Sequence, residues 1–171
     1  QVAEDSWVSK APMHQARIFL GAAAVNGKIY AIGGNSETGI TGVNEEYDPA
    51  TDIWTYKTPM PTPRYFFGIA VYQNKIYCMG GKTGGFSAIG VNEVYDPATD
   101  TWQTLQPMPT ARMNLQANVV NGKIYSIGGR VSDTSAYNDT IFNLNEVYDP
   151  LTDAWTTKTP IPQVAASIAS A

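Results

Sequence analysis

The chain has 171 residues, of which 43% are hydrophobic and 15% are charged, so it is long enough for one domain with a buried core. Its net charge of −4 argues against nucleic acid or an anionic membrane as a partner, since both require a basic face. Its single cysteine, Cys78, excludes an internal disulfide and a cysteine-based zinc site. No apolar run reaches the length of a membrane-spanning helix. From the charge we expect no nucleic-acid partner, and from the absence of such a run we expect no membrane insertion.

Two phrases are each written three times along the chain. The first ends in a glycine pair, and the second contains a Tyr followed seven residues later by a Trp. The tryptophans at 54, 102 and 155 are 48 and 53 residues apart, and such a period near 50, built from short apolar runs and turn residues, indicates a repeat array. The repeated residues that we interpret as structural are Gly33, Gly34, Tyr47, Trp54, Gly80, Gly81, Tyr95, Trp102, Gly128, Gly129, Tyr148 and Trp155.

One full repeat is predicted to contain four short strands. An apolar strand over 67–72 turns into a second over 75–79, which ends at the glycine pair. In the flanking repeats the same turn is Asn-Gly, a strong hairpin signal. A third strand over 91–95 is joined by an Asp-Pro turn to a fourth over 101–105. This pattern, without helical periodicity, predicts an all-β fold of four-stranded antiparallel sheets that pack face to face, as propeller blades do.

The repeat boundaries predict a single propeller segment over residues 1–171. Complete blades are expected over 17–58, 64–106 and 112–159. Residues 1–16 carry Trp7 at the repeated tryptophan position and are expected to form the last strand of a preceding blade. Residues 163–171 align with the start of a repeat and are expected to form the first strand of an incomplete blade.

The glycine doublet, the Tyr and the Trp seven residues later resemble the kelch repeat over essentially the whole chain. The resemblance implies one propeller blade per repeat, usually six or seven blades in all, with the first strand lining the central channel and the fourth outermost. Three blades cannot close a ring, and they leave two apolar blade faces bare. We therefore expect either covalent continuation with missing blades or a homodimer that completes a six-bladed ring.

Residues with catalytic chemistry are few. His14, the single histidine, is interpreted as a loop residue, and Cys78 as a small buried hydrophobe. The repeated Asp pairs, such as Asp48 and Asp52, are explained as self-capped turns, with calcium binding as the alternative. Asn138 begins a glycosylation sequence that only a secreted eukaryotic chain could use. We expect no metal and no cofactor, and enzymatic activity is left uncertain, with a non-catalytic role favoured.

Kelch proteins gather two sets of loops at one end of the propeller, and the resemblance implies that a ligand binds there. One set precedes each first strand, and the other spans 35–43, 82–91 and 130–144, where sequence and length vary as expected of a functional surface. The arginine at the start of each repeat has a second interpretation, as a structural tie between blades. The ligand-binding candidates are Arg17, Phe19, Arg64, Tyr65, Phe66, Arg112, Asn114, Arg130 and Tyr137.

The predicted function is a non-catalytic interaction module that presents these loop residues to a protein, peptide or glycan. One alternative is a fragment of a kelch-propeller enzyme acting on sugars, epimerase-like or oxidase-like, whose site needs blades absent here. Another is an assembly or adhesion repeat with no small ligand. Localisation is left open, with a secreted or cell-surface location favoured over the cytoplasm.

Overall fold

The computed structural model describes residues 7–85, 88–132 and 140–166, and these residues confirm the predicted all-β fold with one four-stranded antiparallel blade per repeat. Within each blade the strands are hydrogen-bonded in chain order. Blade 1 consists of β1 Gly21–Val25, β2 Lys28–Ile32, β5 Asn44–Asp48 and β6 Ile53–Lys57, with the hairpin β3 Asn35–Ser36 and β4 Gly39–Ile40 between β2 and β5. Blade 2 consists of β7 Gly68–Tyr72, β8 Lys75–Met79, β9 Asn92–Asp96 and β10 Thr101–Leu105. Blade 3 consists of β11 Gln116–Val120, β12 Lys123–Ile127, β13 Asn145–Asp149 and β14 Ala154–Lys158.

The two-residue turns between the first and second strands fold as the sequence predicts. Asn26 and Gly27 have φ angles of 50° and 75°, and Asn121 and Gly122 have 49° and 75°. Both residues of such a turn must adopt positive φ, which suits the right-handed twist of the flanking strands. Blade 2 makes the same turn without glycine, at Gln73 and Asn74.

The blades pack through their faces, and β7 contacts both β1 and β11. Each of the two interfaces therefore encloses its own hydrophobic core. Burying a large apolar side chain contributes about 1.5–3 kcal/mol, so these cores hold the blades together. The core between blades 1 and 2 contains Val25, Tyr30, Ile32, Met60, Phe67, Ile76, Cys78 and Tyr95. The core between blades 2 and 3 contains Ala70, Tyr77, Met79, Val94, Met108, Leu115, Ala117, Ile124 and Tyr148.

The glycine pairs lie where one blade's backbone meets the next. Gly33 and Gly34 have φ angles of 64° and 100°, and the Gly34 amide donates to the Arg64 carbonyl of blade 2 at 3.0 Å. A Cβ on Gly33 would stand 2.7 Å from that carbonyl oxygen. The glycines are therefore required both for conformation and for the close approach of two chains.

A second connection between blades recurs at the outer edge, and we call it the rim clasp. The Asp100 carboxylate accepts from the Thr58 amide at 2.9 Å, and the Trp102 indole donates to the Thr58 carbonyl at 2.8 Å. Asp100 also accepts from the Tyr95 hydroxyl at 2.6 Å. One residue of the preceding connection is thus held on both sides by the next blade. The same clasp joins Asp52 and Trp54 to Ala11, and Asp153 and Trp155 to Gln106.

The three blades form an open array, with the outer faces of blades 1 and 3 uncovered by described residues. Ile29 on blade 1 is 40% exposed, whereas the equivalent Ile76 and Ile124 are fully buried against the preceding blade. Val120 on blade 3 is 50% exposed. The described residues 7–16 and 163–166 form no strand. The two expected end strands also include residues outside the described ranges, so they stay predictions.

Candidate functional site

The loops predicted to bind a ligand do meet at one end of the blades. The segment before each first strand pairs with the segment after its own glycine pair, through the isolated bridges Ile18–Asn35, Tyr65–Lys82 and Met113–Arg130. The loops of blades 2 and 3 are further joined by the Ala88 amide, which donates to the Val131 carbonyl at 2.8 Å. The described parts of these loops therefore form one connected surface.

Three aromatic side chains cluster on this surface, and we call them the aromatic platform: Phe19, Tyr65 and Phe66. The ring centroids of Phe19 and Phe66 are 4.2 Å apart, and those of Tyr65 and Phe66 are 4.7 Å apart. Phe19 is 50% exposed, and the other two rings are half-buried. The platform bridges blades 1 and 2, so its shape depends on the packing of the two blades.

The backbone holds the platform in an unusual conformation. Phe19, Phe66 and Asn114 occupy the same repeat position, with φ angles of 58°, 58° and 54°. The Phe66 amide donates to the Phe19 carbonyl at 3.3 Å, and the Asn114 amide donates to the Phe66 carbonyl at 2.8 Å. The left-handed conformation costs a non-glycine residue about 1–2 kcal/mol, and asparagine tolerates it better than phenylalanine. Blades 1 and 2 thus place an aromatic ring where the backbone disfavours it.

The three repeated arginines lie beneath this surface. Arg64 and Arg112 are fully buried and Arg17 is 8% exposed, each paired with the glutamate of its own blade's third strand: Glu93, Glu146 and Glu45. Other guanidinium nitrogens bond backbone carbonyls, as the Nη2 of Arg64 does with Cys78 at 2.9 Å, whereas the buried Nε of Arg64 and of Arg112 has no hydrogen-bond partner among the described residues.

These contacts change the expected role of the arginines. Their guanidinium groups tie strands within one blade, rather than between blades as the alternative interpretation expected; the contact between blades is made by the Arg64 carbonyl. Burial lowers the pKa of Arg17 and of Arg112, and the paired glutamates oppose that shift. An arginine pKa remains far above neutrality, so both groups stay charged. Their ligand-binding role stays a prediction, and the described geometry gives them a supporting one.

His14 has a specific partner, which the loop interpretation missed. Its amide and its Nδ1 lie 2.9 Å and 2.8 Å from the same oxygen of buried Glu45, and its ring stacks on Tyr56 at 4.7 Å. In blades 2 and 3 a threonine hydroxyl, from Thr62 or Thr110, fills this position. In blade 1 the histidine therefore supplies the additional hydrogen-bonding partner of the glutamate that a threonine supplies in blades 2 and 3.

The other predicted residues fall in three places. We call the backbone hydrogen bonds that join Phe19, Phe66 and Asn114 the backbone ladder, and Asn114 lies half-buried at its blade 3 end. Arg130 forms backbone bridges with Met113 and Ile141. Tyr137 and the glycosylation sequence at Asn138 lie outside the described residues. Two neighbouring residues were not among the candidates: Ile18, which is 55% exposed, and Lys82, which is buried and has its Nζ 6.0 Å from the centroid of the Tyr65 ring. Aligning the repeats would have identified both, since they flank the arginine and the glycine pair.

The repeated Asp pairs hold turns and blade connections. No group of three His, Cys, Asp or Glu side chains in the described ranges is arranged to hold a metal ion. The first Asp of each repeated pair caps its own turn, as Asp48 does by accepting from the Ala50 amide at 2.8 Å. The second forms the rim clasp, as Asp52 does. The described residues include no helix long and apolar enough to cross a bilayer.

Comparison with known proteins gives one family. A family model described as the Kelch motif matches residues 16–61, 63–109 and 111–162, so each match spans one blade of the structure. No curated protein matches the chain.

Proposed function

We propose a protein-binding role for this chain, which belongs to the kelch-repeat family, because kelch repeats generally mediate protein interactions. The proposed binding surface is the aromatic platform with its neighbours Ile18 and Asn114. The proposal includes no catalytic step. It rests above all on one observation: two phenylalanines hold a disfavoured backbone conformation, and of these Phe19 is 50% exposed and Phe66 only half-buried.

The platform has the properties of a binding hot spot. Aromatic residues contribute most to protein interfaces, because they bury a large area at a small entropic cost. The platform is fixed in advance by the backbone ladder and by the buried arginines beneath it, which reduces the cost of ordering on binding. A rigid, apolar and largely uncharged surface suits an apolar side chain of a partner polypeptide. Glycans also stack on aromatic rings, so the test must separate the two ligand classes.

Blade 3 supplies a matched variant for this test. F19N/F66N places in blades 1 and 2 the residue that blade 3 carries at the same position, where Asn114 has a φ of 54°. The exchange removes both rings, and we expect it to preserve the fold because asparagine tolerates positive φ. I53T serves as the control, since Ile53 is 56% exposed on β6 and blade 2 has Thr101 there.

The probes are a phage-displayed library of random dodecapeptides and a glycan microarray, each applied to the wild type and to both variants. We expect peptides with an apolar residue to bind the wild type and I53T, and to lose at least about 30-fold in affinity with F19N/F66N. Glycans that bind through the platform, in the absence of any such peptide, would contradict the protein-binding role. Peptides that bind all three proteins equally would contradict the proposed site.

We further propose that the open faces of blades 1 and 3 are covered by additional blades. The exposure of Ile29, compared with that of Ile76 and Ile124, supports this, since the two buried residues face a preceding blade. The additional blades come either from a second copy, giving a six-bladed ring, or from covalent continuation of the chain. Light scattering on a sizing column distinguishes the two: a dimer of about twice 18.5 kDa that I29D dissociates supports the ring of two copies. A monomer unaffected by I29D would exclude it.

A further inference from the structure

A groove lies at the outer edge of the interface between blades 2 and 3, away from the aromatic platform. It has a volume of about 400 Å³, within the range of ligand-binding clefts. Tyr77, Val94 and Tyr148 are buried along its floor, and Leu105, Leu151 and Gln103 are among its other lining residues. The buried floor is therefore apolar and aromatic. The exposed rim is polar and includes Lys75, which pairs with Asp96 at 2.9 Å, and Asp153, which accepts from the Tyr148 hydroxyl at 2.7 Å.

The corresponding position between blades 1 and 2 is occupied by charged side chains. There the Tyr30 hydroxyl donates to Glu46 at 2.5 Å, and Lys57 pairs with the same carboxylate at 3.7 Å. The Tyr30 ring packs at a tilt against Tyr95 of the next blade, with ring centroids 5.8 Å apart. The tyrosine pair is thus accompanied by an ion pair that uses its hydroxyl.

Blade 2 keeps the tyrosine pair but replaces the ion pair with two aliphatic residues. The Tyr77 and Tyr148 centroids are 6.2 Å apart, and in blade 2 Val94 and Leu105 occupy the positions of Glu46 and Lys57. The Tyr77 hydroxyl makes no hydrogen bond to any residue that the structure describes. Burial raises the pKa of Tyr77, so the hydroxyl remains a neutral donor at physiological pH.

A third exchange extends the apolar surface beyond the groove. Leu151 stands in the turn between β13 and β14 and is 76% exposed, whereas the same turn position carries the small residues Ala50 and Ala98 in blades 1 and 2. Three positions around one groove therefore carry aliphatic residues in place of charged or small ones. A stable fold does not require these exchanges, because the interface between blades 1 and 2 packs without them.

We propose that this groove binds a short, extended, uncharged segment of a partner polypeptide. An aliphatic side chain of the segment packs on Val94 and Leu105, and a backbone carbonyl accepts the Tyr77 hydroxyl. Replacement of the ion pair leaves a floor that complements neutral chemistry and disfavours a charged ligand. The Gln103 amide at the rim matches the backbone polar groups of such a segment, and Leu151 packs on its next side chain.

The test transfers blade 1 chemistry into blade 2. V94E/L105K restores the ion pair and gives the Tyr77 hydroxyl an acceptor, and the fold tolerates both residues at the equivalent positions of blade 1. The probe is a phage-displayed library of random heptapeptides, panned on the wild type and counter-panned on V94E/L105K. Enriched peptides are then synthesised and titrated by fluorescence polarisation against the wild type, V94E/L105K, Y77F and F19N/F66N.

We expect enriched peptides to carry Leu, Ile, Val or Met without a charged consensus. V94E/L105K should lower their affinity at least about ten-fold, and Y77F about three- to ten-fold, the loss expected for one hydrogen bond. F19N/F66N should leave the affinity unchanged. An absence of peptides sensitive to V94E/L105K, a charged consensus, or an equal loss with F19N/F66N would each overturn the proposal, whether or not the platform binds a ligand of its own. Thermal melting verifies that each variant is folded.

Discussion

Removing Arg64 alone is expected to destabilise blade 2 strongly. The guanidinium is fully buried and bonds the Glu93 carboxylate together with the carbonyls of Thr62 and Cys78, each at 2.9 Å. In R64M the buried carboxylate keeps the Thr62 hydroxyl, at 2.7 Å, as its remaining described side-chain donor. Breaking a buried ion pair by removing one partner costs about 3–5 kcal/mol. For a chain of this size we therefore expect the melting temperature to fall by about 10–15 °C.

The double variant R64M/E93L distinguishes the cost of an isolated charge from the loss of a favourable pair. It leaves neutral carbonyls without their donor but no buried charge, so we expect it to recover about 2 kcal/mol of the loss in R64M. Urea unfolding followed by tryptophan fluorescence measures the stability of all three proteins.

Two results would refute this reasoning. If R64M unfolds within about 1 kcal/mol of the wild type, the pair is not a buried structural tie. If the double variant is no more stable than R64M, an isolated charge is not the cause of the loss. The equivalent variant R112M tests whether the same argument holds in blade 3, where Glu146 is the partner.

Three further outcomes are expected. G33A should destabilise by more than 1 kcal/mol in urea unfolding, since a Cβ there stands 2.7 Å from the Arg64 carbonyl at a φ of 64°, whereas G27A, with open space around its Cβ, should cost less. W102F should cost about 0.5–1.5 kcal/mol by the same assay, because it removes the 2.8 Å bond to Thr58, and an unchanged stability would show that the clasp contributes nothing. The urea midpoint should hold between pH 5 and 7 and fall below pH 4. Hydrogen bonds to the paired lysines lower the pKa of Asp48, Asp96 and Asp149 in the folded protein. Their stabilisation is therefore present above the unfolded-state pKa near 3.9 and is lost as pH falls through the lowered folded-state values. A urea midpoint that does not change down to pH 3 would contradict this expectation.

The strand pattern could be predicted from sequence because local chemistry determines it. Asn-Gly and Asp-Pro mark the turns, and the predicted fourth strand over 101–105 matches β10. The third strand begins at Asn92, one residue later than predicted, and the first at Gly68 rather than at 67. Element ends depend on the last ladder hydrogen bond, which a sequence pattern does not report.

The candidate site was less predictable, because it depends on the direction of side chains. Repetition of the arginines fitted both a ligand site and a structural tie. The repeated glutamate in the Asn-Glu phrase was the signal for burial, since an Arg and a Glu that recur together are natural partners. The left-handed backbone conformation at Phe19 and Phe66 could not be predicted from the sequence, because phenylalanine rarely adopts it; only the third repeat carries a residue that favours it, Asn114.

The rim clasp also bears on how such a chain can change its length. Every blade contributes the Asp and Trp side chains of one clasp. The residue that they bind lies in the connection after the preceding blade: Thr58 after blade 1 and Gln106 after blade 2. The bound residue contributes only its backbone amide and carbonyl, so its identity is free to vary. Duplication or loss of one whole repeat therefore keeps the clasp intact at every junction between blades without compensating substitutions. Blade number can change in evolution, or by design, in single steps of one repeat.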